Sequence, residues 1–327
     1  MTYSSGSIIL AADYNGFVGN TASGGTANAN LNDIWAVGST DKGWGQTAVT
    51  NVVASANTVT ATQWASLVNN LATAGSQTNT TLTSRTAPVA GNTIAILANV
   101  NTDLTNVTTN RGNAAASGTQ YTAWTGTNSK TAATAAGSWT ITITNTITFP
   151  SADQARYFWN AGGLVKITCS KTSTGATGDP PWNALATACG DIYISGRVNG
   201  AAQTIAATSY PGTLKVGGSG TVNTIASTTG WYTLVGNAAA TIMFKQFSAT
   251  APYTSDYIQH TAAVNTARTT LTIVTTWVGV DGDPISGGTA ASGATPGTAP
   301  CTIVTYFPPS TTLTNSWGTP TVAATTV

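Results

Sequence analysis

The sequence carries little charge and contains no glutamate. Only 6% of its 327 residues are charged, against about 25% in typical soluble proteins. All ten acidic residues are Asp, and the chain has one histidine and three cysteines. These shortages leave few side chains from which a hydrolytic or metal site could be built. The eleven Lys and Arg are scattered and give a formal net charge of +1, so no basic stripe indicates nucleic-acid binding.

Long apolar runs and cysteine motifs are scarce too. No stretch of about 18 apolar residues predicts a transmembrane helix, and residues 1–16 lack the basic start of a secretory signal. We therefore expect no membrane insertion. Cys169, Cys189 and Cys301 show no C-x-x-C spacing, so neither a zinc site nor a disulfide framework is predicted. Buried free thiols are the favoured interpretation, and a Cys169–Cys189 bridge is an alternative.

Threonine is the residue that the sequence has in excess, with 66 copies beside ten tryptophans. A 41% hydrophobic content can build a core, which excludes a disordered polyelectrolyte. From residue 138 onward apolar residues alternate with Thr, which suits the solvent face of a strand. The clearest run is residues 139–149, and similar runs follow at 163–169, 191–198, 230–235, 241–247, 269–280 and 301–307. We expect a mainly β protein in which residues 138–327 form an antiparallel β-sandwich or jelly-roll-like domain.

Residues 1–115 instead show helical spacing and predict a small helical and irregular docking region. In residues 60–74 the apolar positions form one stripe, with Thr60 or Thr62 as N-cap and Gly75 as the C-terminal glycine. A further stripe has the 3-4-3 spacing of a coiled-coil seam and predicts an assembly contact in a trimer; it comprises Leu97, Val100, Leu104 and Val107. Residues 116–137 are rich in small residues and predict a linker or an extended arm.

No group of residues predicts catalysis, a metal or a cofactor. Asp256 lies four residues before His260, which would align the two on a helix, but no triad motif surrounds them. A hydrogen-bonded structural histidine is the favoured interpretation. Asp281 and Asp283 lie in a D-G-D-P sequence that is typical of a turn, with calcium binding as the weaker alternative.

Aromatic side chains are the remaining candidates for binding. An exposed ring can stack on a sugar, and Trp182 and Trp231 are the candidates for such a glycan-binding surface. Trp182 follows two prolines that stiffen its approach. The alternative is that these rings fill the core or a subunit interface, where large aromatic areas dominate the energetics.

Four segments resemble virion structural proteins of tailed bacteriophages, especially phages of cyanobacteria and marine bacteria. The longest is TFPSADQARYFWNAGGLVKI at 148–167, and the others are ADYNGFVG, GSTDKGWGQ and QWASLVNNL, in a similar order. Members of that family are tail-associated or fibre-like components without established catalytic residues. The resemblance therefore implies a structural role and transfers no site residue.

The longest shared segment also has a physical interpretation of its own. Asp153 can cap a short helical turn and pair with Arg156. Tyr157, Phe158 and Trp159 place three rings in succession, which predicts that at least one of them meets a neighbouring sheet or subunit. We expect these three residues to form an assembly contact.

Together these observations predict a non-enzymatic phage virion protein, located in the virion after assembly in the host cytoplasm. A tail fibre or tail-associated adaptor with a role in receptor binding and host attachment is the first interpretation. A capsid decoration or head-fibre protein is the alternative, and a secreted adhesin or surface-layer protein is the second. The expected partners are other copies of the chain, other virion proteins and a host surface glycan.

Overall fold

Helices and two antiparallel sheets share the described part of the chain. The computed structural model describes residues 11–52, 58–90, 99–113, 121–131, 138–171, 179–198, 203–205, 208–210, 212–218, 225–236, 241–280, 298–307 and 311–326. Within these ranges the chain forms seven helices and twelve strands. The fold is therefore a mixture of helices with a β-sheet core rather than mainly β.

The described part of the N-terminal region contains four helices: α1 (Ala11–Val18), α2 (Leu31–Trp35), α3 (Ala61–Gln77) and α4 (Val100–Asn110). The predicted N-cap of α3 is confirmed, because Thr60 and Gln63 form a reciprocal capping box. The predicted end at Gly75 is wrong, since α3 continues to Gln77. A Cβ at Gly75 would overlap the side chain of Leu82, so this glycine permits close packing instead of ending the helix.

The first sheet has five strands: β1 (Tyr121–Thr131), β3 (Leu164–Cys169), β4 (Asp191–Ile194), β7 (Leu214–Val216) and β11 (Thr298–Phe307). Their order across the sheet is β1-β11-β3-β4-β7, and every pair is antiparallel. Part of the predicted linker or extended arm, residues 121–131, is thus an edge strand of this sheet. In the centre, Cys301 of β11 is the register partner of Cys169 in β3.

The second sheet also has five strands: β2 (Trp139–Thr148), β8 (Thr241–Phe247), β9 (Tyr257–Val264), β10 (Thr270–Gly279) and β12 (Thr321–Thr326). Their antiparallel order is β12-β2-β10-β9-β8. The predicted alternation holds in β2, where Ile141, Ile143 and Ile147 are buried and threonines take most of the opposite face. Two short strands, β5 (Gln203–Ile205) and β6 (Thr208–Tyr210), pair separately.

Three helices lie within the region that the sequence predicts to be all β: α5 (Ala152–Asn160), α6 (Asp179–Cys189) and α7 (Trp231–Leu234). The predicted strand at 230–235 is wrong, because Trp231 and Leu234 are buried at helical i, i+3 spacing. Trp182 likewise lies in a helix, α6. Pro180 and Pro181 occupy the first turn of α6, where a missing N–H costs no helical hydrogen bond.

One hydrophobic core contains side chains from both the helical region and the sheets. The two regions also exchange hydrogen bonds over long sequence separations. Gln46 donates to the carbonyl oxygen of Thr314 at 2.9 Å and accepts from its N–H at 2.9 Å. Gln77 donates to the carbonyl oxygen of Ala161 at 2.9 Å. The helices are therefore fixed to the sheets by buried polar contacts as well as by apolar packing.

Candidate functional site

Helix α5 lies where the N-terminal region meets the sheets. Its N-cap is Ser151, whose hydroxyl accepts from the N–H of Gln154 at 3.1 Å, so the expectation that Asp153 caps this turn is wrong. Asp153 instead lies in the first turn and pairs with Arg156 at 3.0 Å, as the sequence predicts. Arg156 also donates to the carbonyl oxygen of Val37 at 2.9 Å. This arginine thus connects α5 to the loop that follows α2.

The three consecutive rings of α5 are all buried within the chain, so they do not offer an exposed assembly contact. Tyr157, Phe158 and Trp159 are 8%, 0% and 4% exposed. Successive helical residues point about 100° apart, and the chain surrounds α5 on each of these sides. Trp159 stacks on Trp231 with ring centroids 5.2 Å apart. The ring centroids of Phe158 and Phe149 are 5.1 Å apart.

A loop between α2 and α3, residues 36–46, holds the C-terminal end of α5. The side-chain amide of Asn160 donates to the carbonyl oxygens of Asp41 at 2.8 Å and Gly43 at 3.0 Å. In return the indole N–H of Trp44 donates to the carbonyl oxygen of Asn160 at 3.1 Å. Gly45 adopts a φ of +67°, and a Cβ there would overlap the Tyr157 ring. This loop therefore requires glycine for both conformation and space.

The predicted coiled-coil seam faces the chain's own core. Val100, Leu104 and Val107 are at most 1% exposed, and α4 contacts α1 and α3. These three residues therefore do not supply an interface between subunits. Leu97, the fourth predicted position, lies outside the described residues.

The predicted glycan-binding tryptophans are core residues. Trp182 is 1% exposed and lies 4.9 Å from the ring of Trp139 and 5.7 Å from that of Trp277. Trp231 is 1% exposed and packs on Trp159. The expectation of exposed rings is wrong because both residues lie on buried faces of helices that the sequence did not reveal. The alternative interpretation, that they fill the core, is the correct one.

A pocket of about 70 Å³ opens beside the end of α5. Its walls come from five parts of the chain, and they comprise Asp41, Arg111, Gly112, Trp159, Asn160, Gly196, Arg197 and Tyr232. Arg111 pairs with Asp41 at 3.1 Å. A Cβ at Gly112 would overlap the Arg197 guanidinium, so the absence of a side chain there lets the second arginine approach the first.

Charge and burial perturb two titratable groups in this pocket. The pKa of Arg197 is lowered by burial and by the neighbouring charge of Arg111, while the charge of Asp41 acts in the opposite direction. The pKa of the Tyr232 hydroxyl is raised by burial and by the charge of Asp41. That hydroxyl donates to the side-chain oxygen of Asn160 at 2.8 Å. Tyr232 thus remains a neutral hydrogen-bond donor at physiological pH.

Sequence reasoning missed this pocket, although one signal was present. Both arginines adjoin a glycine, in the pairs Arg111–Gly112 and Gly196–Arg197. A glycine beside an arginine is a weak indication of close approach. Nothing in the sequence indicates that these two pairs, 85 positions apart by number (197 − 112), lie together.

His260 is the second place where titratable groups meet. It lies in β9, 1% exposed, with its Nδ1 atom 2.9 Å from the hydroxyl of Thr275 and its Nε2 atom 3.8 Å from the sulfur of Cys169. Burial lowers its pKa to about 4. The residue is therefore a neutral, hydrogen-bonded histidine in the core, which agrees with the favoured interpretation. Asp256 precedes the strand and accepts from the N–H of Val280 at 2.9 Å, so the helical alignment of the two residues is wrong.

The remaining predictions concern the cysteines, two aspartates, metal binding and membrane insertion. Cys169 and Cys189 are both buried, and no disulfide joins them. Asp281 and Asp283 lie outside the described residues. Among the described side chains, no group of three or more His, Cys or Asp is placed to hold a metal ion. No described helix combines the length and the hydropathy that a membrane span needs.

Comparison with known proteins gives no relative for this chain. No family model, no curated protein sequence and no solved structure matches it.

Proposed function

We propose that the chain is a non-enzymatic structural protein of a tailed-bacteriophage virion. Within that class we favour a tail fibre or tail-associated adaptor that contributes to receptor binding and host attachment. The alternative is a capsid decoration or head-fibre protein, and the second alternative is a secreted adhesin or surface-layer protein. The resemblance of four sequence segments to tailed-phage virion proteins is the basis of this proposal.

The observation that carries the proposal is that these four segments pack against one another in pairs. GSTDKGWGQ is residues 38–46, the loop that holds α5, and α5 belongs to the segment at 148–167. The other two segments lie in α1 and α3. The ring centroid of Trp64 is 5.4 Å from that of Tyr14 and 6.3 Å from that of Phe17. Contact between the segments that carry the resemblance is what one structural unit would give.

The finer fold and the assembly are part of the same proposal. We propose that the two sheets pack face to face as a sandwich, because Cys169 of the first sheet approaches His260 of the second. Lys215 of β7 likewise lies 5.4 Å from the ring of Phe244 in β8. A homo-oligomer, with a trimer as the expected form, would use surfaces other than the buried seam of α4. The outward face of β2 consists of threonines without charge and suits such contacts.

Immunolabelling of intact virions tests the proposal. An antibody raised against the full chain is applied to purified phage particles and imaged by electron microscopy, with particles of an unrelated phage as the control. Label at the distal tail supports the attachment role, and label over the capsid supports the decoration alternative. If the protein is missing from purified particles by mass spectrometry, the virion proposal is wrong.

A further inference from the structure

Arg197 is a partly buried cation, and Asp41, the carboxylate whose charge acts on it, is paired with Arg111. Among the described residues the Arg197 guanidinium makes no ion pair and no hydrogen bond, and the nearest arginine, Arg111, already pairs with Asp41 at 3.1 Å. Withdrawing a guanidinium from water without a partner costs free energy. An anion bound in the pocket would offset that cost.

A third donor lines the same pocket. The indole N–H of Trp159 is buried and has no acceptor among the described groups. Most buried polar atoms in folded proteins have a partner. The lining residues thus include two arginines and a tryptophan whose indole N–H has no described acceptor, and the partner that such donors need is an acceptor.

We propose that this pocket binds the carboxylate of a sugar acid, such as a uronic acid unit. Arginine pairs with carboxylate through two parallel hydrogen bonds. The cavity volume of about 70 Å³ exceeds the ~10–15 Å³ that a single water needs in a cavity, so it has room for a carboxylate group, with the sugar ring at the mouth.

Asp41 determines which anion fits. Two arginines and one aspartate give the pocket a net charge of about +1, which matches a monoanionic carboxylate better than a dianionic phosphate. The side chain of Asp41 is 49% exposed, so its carboxylate can also accept a hydrogen bond from a hydroxyl beside the bound anion. A ligand that carries a carboxylate next to hydroxyl groups satisfies both requirements, and sugar acids have this composition.

The residues around the pocket hold it in shape. Asn160 fixes the backbone of Asp41 through a 2.8 Å hydrogen bond, and Tyr232 donates to Asn160. Gly112 leaves room for Arg197. The site is therefore built largely before a ligand arrives, which lowers the entropic cost of binding.

This inference rests on the proposed function only for the origin of the sugar acid, a host-surface polysaccharide. Binding is measured on the purified full chain by isothermal titration calorimetry with glucuronate and galacturonate. Glucose tests the need for the carboxylate, and acetate tests the need for the sugar. We expect either uronate to bind, glucose not to bind, and acetate to bind more weakly.

Two variants connect binding to the pocket. Arg197→Gln should weaken uronate binding at least about tenfold, which is typical for losing a charge-assisted hydrogen bond. Arg268→Gln removes a charge from an exposed turn away from the pocket and should leave binding unchanged. If thermal unfolding shows that Arg197→Gln is not folded, Asp41→Asn is measured in its place. This variant should increase the binding of sulfate relative to that of uronate.

The outcomes separate the two proposals. If the wild type binds neither uronate, or if Arg197→Gln binds uronate as tightly as the wild type does, the pocket assignment is wrong whatever the virion labelling shows. Binding of an acidic peptide without uronate would assign the pocket to a protein partner and overturn the sugar-acid assignment. Binding of oligogalacturonate as well as the monomer would identify a polysaccharide source, and binding of the monomer alone would identify a free sugar acid.

Discussion

Burial of the only histidine predicts an acid sensitivity that one substitution removes. His260 is buried in β9 with its Nδ1 atom 2.9 Å from the Thr275 hydroxyl, and burial lowers its pKa to about 4 from the ordinary value of 6.5. His260→Gln removes the titrating group while keeping a polar side chain near the Thr275 hydroxyl. The comparison of wild type and variant isolates this one residue, because the ten Asp of the chain are the same in both.

The sign and size of the effect follow from these two pKa values. Between pH 6.5 and about 4 the unfolded chain holds a proton on His260 that the folded protein does not. Stability is therefore fully present above pH 6.5 and is lost as the pH falls through this window. The two values differ by about 2.5, and each pKa unit corresponds to about 1.4 kcal/mol, so the loss reaches about 3 kcal/mol. That is a large part of a typical unfolding free energy of about 5–15 kcal/mol.

Urea unfolding at a series of pH values between about 8 and about 4 measures this effect. The difference in unfolding free energy between wild type and His260→Gln should be constant above pH 6.5. Below that pH it should shift in favour of the variant by about 1 kcal/mol per pH unit. Parallel curves over the whole range would refute the reasoning.

Three further substitutions test the packing around α5 and α3. Asn160→Ala removes two donated hydrogen bonds and one accepted hydrogen bond, so it should lower the unfolding free energy by about 2–4 kcal/mol. The control Asn69→Ala lies on an exposed helical face and should change the unfolding free energy little. Equal effects of the two substitutions would contradict the role of Asn160. Gly45→Ala combines a positive φ with overlap of a tyrosine ring, whereas Gly217→Ala has a similar φ of +69° and open space. The first should therefore reduce the thermal midpoint clearly more than the second, and similar shifts would show that the ring moves aside at little cost. Thr60→Ala breaks the capping box and should cost about 1 kcal/mol in urea unfolding; no loss would mean that water replaces the cap.

Long periodic segments could be predicted from the sequence. The alternation of apolar residues and threonine in β2 spans ten residues, which is long enough to distinguish a strand from a helix. The 17 residues of α3 are also long enough for their helical spacing to be recognised, and a capping residue stands at the start. Helix α7 has only four residues, and over so short a window buried residues at i and i+3 do not distinguish a helix from a strand.

The candidate site depended on information that the local sequence does not hold. Three adjacent rings in α5 were expected to exceed what one core can cover, yet the loop at 36–46 and helix α7 cover the remaining sides. The arginine pocket likewise gathers Asp41, Arg111 and Arg197 from three distant positions. Spacing along the chain determines which residues share a face of one element, but the packing between elements determines which faces meet.

The hydrogen bonds between Gln46 and Thr314 have a consequence for the speed of folding. These residues are separated by 268 positions, and closing so long a loop costs conformational entropy before any contact repays it. Until residues 311–318 are synthesised, the side-chain amide of Gln46 lacks these partners and the neighbouring core surface stays uncovered. The helices at 11–113 are therefore not expected to mature as an early, independent folding unit during translation. Instead, docking of residues 311–318 is expected to be a late and slow step, and chains stalled before it would expose apolar surface and aggregate.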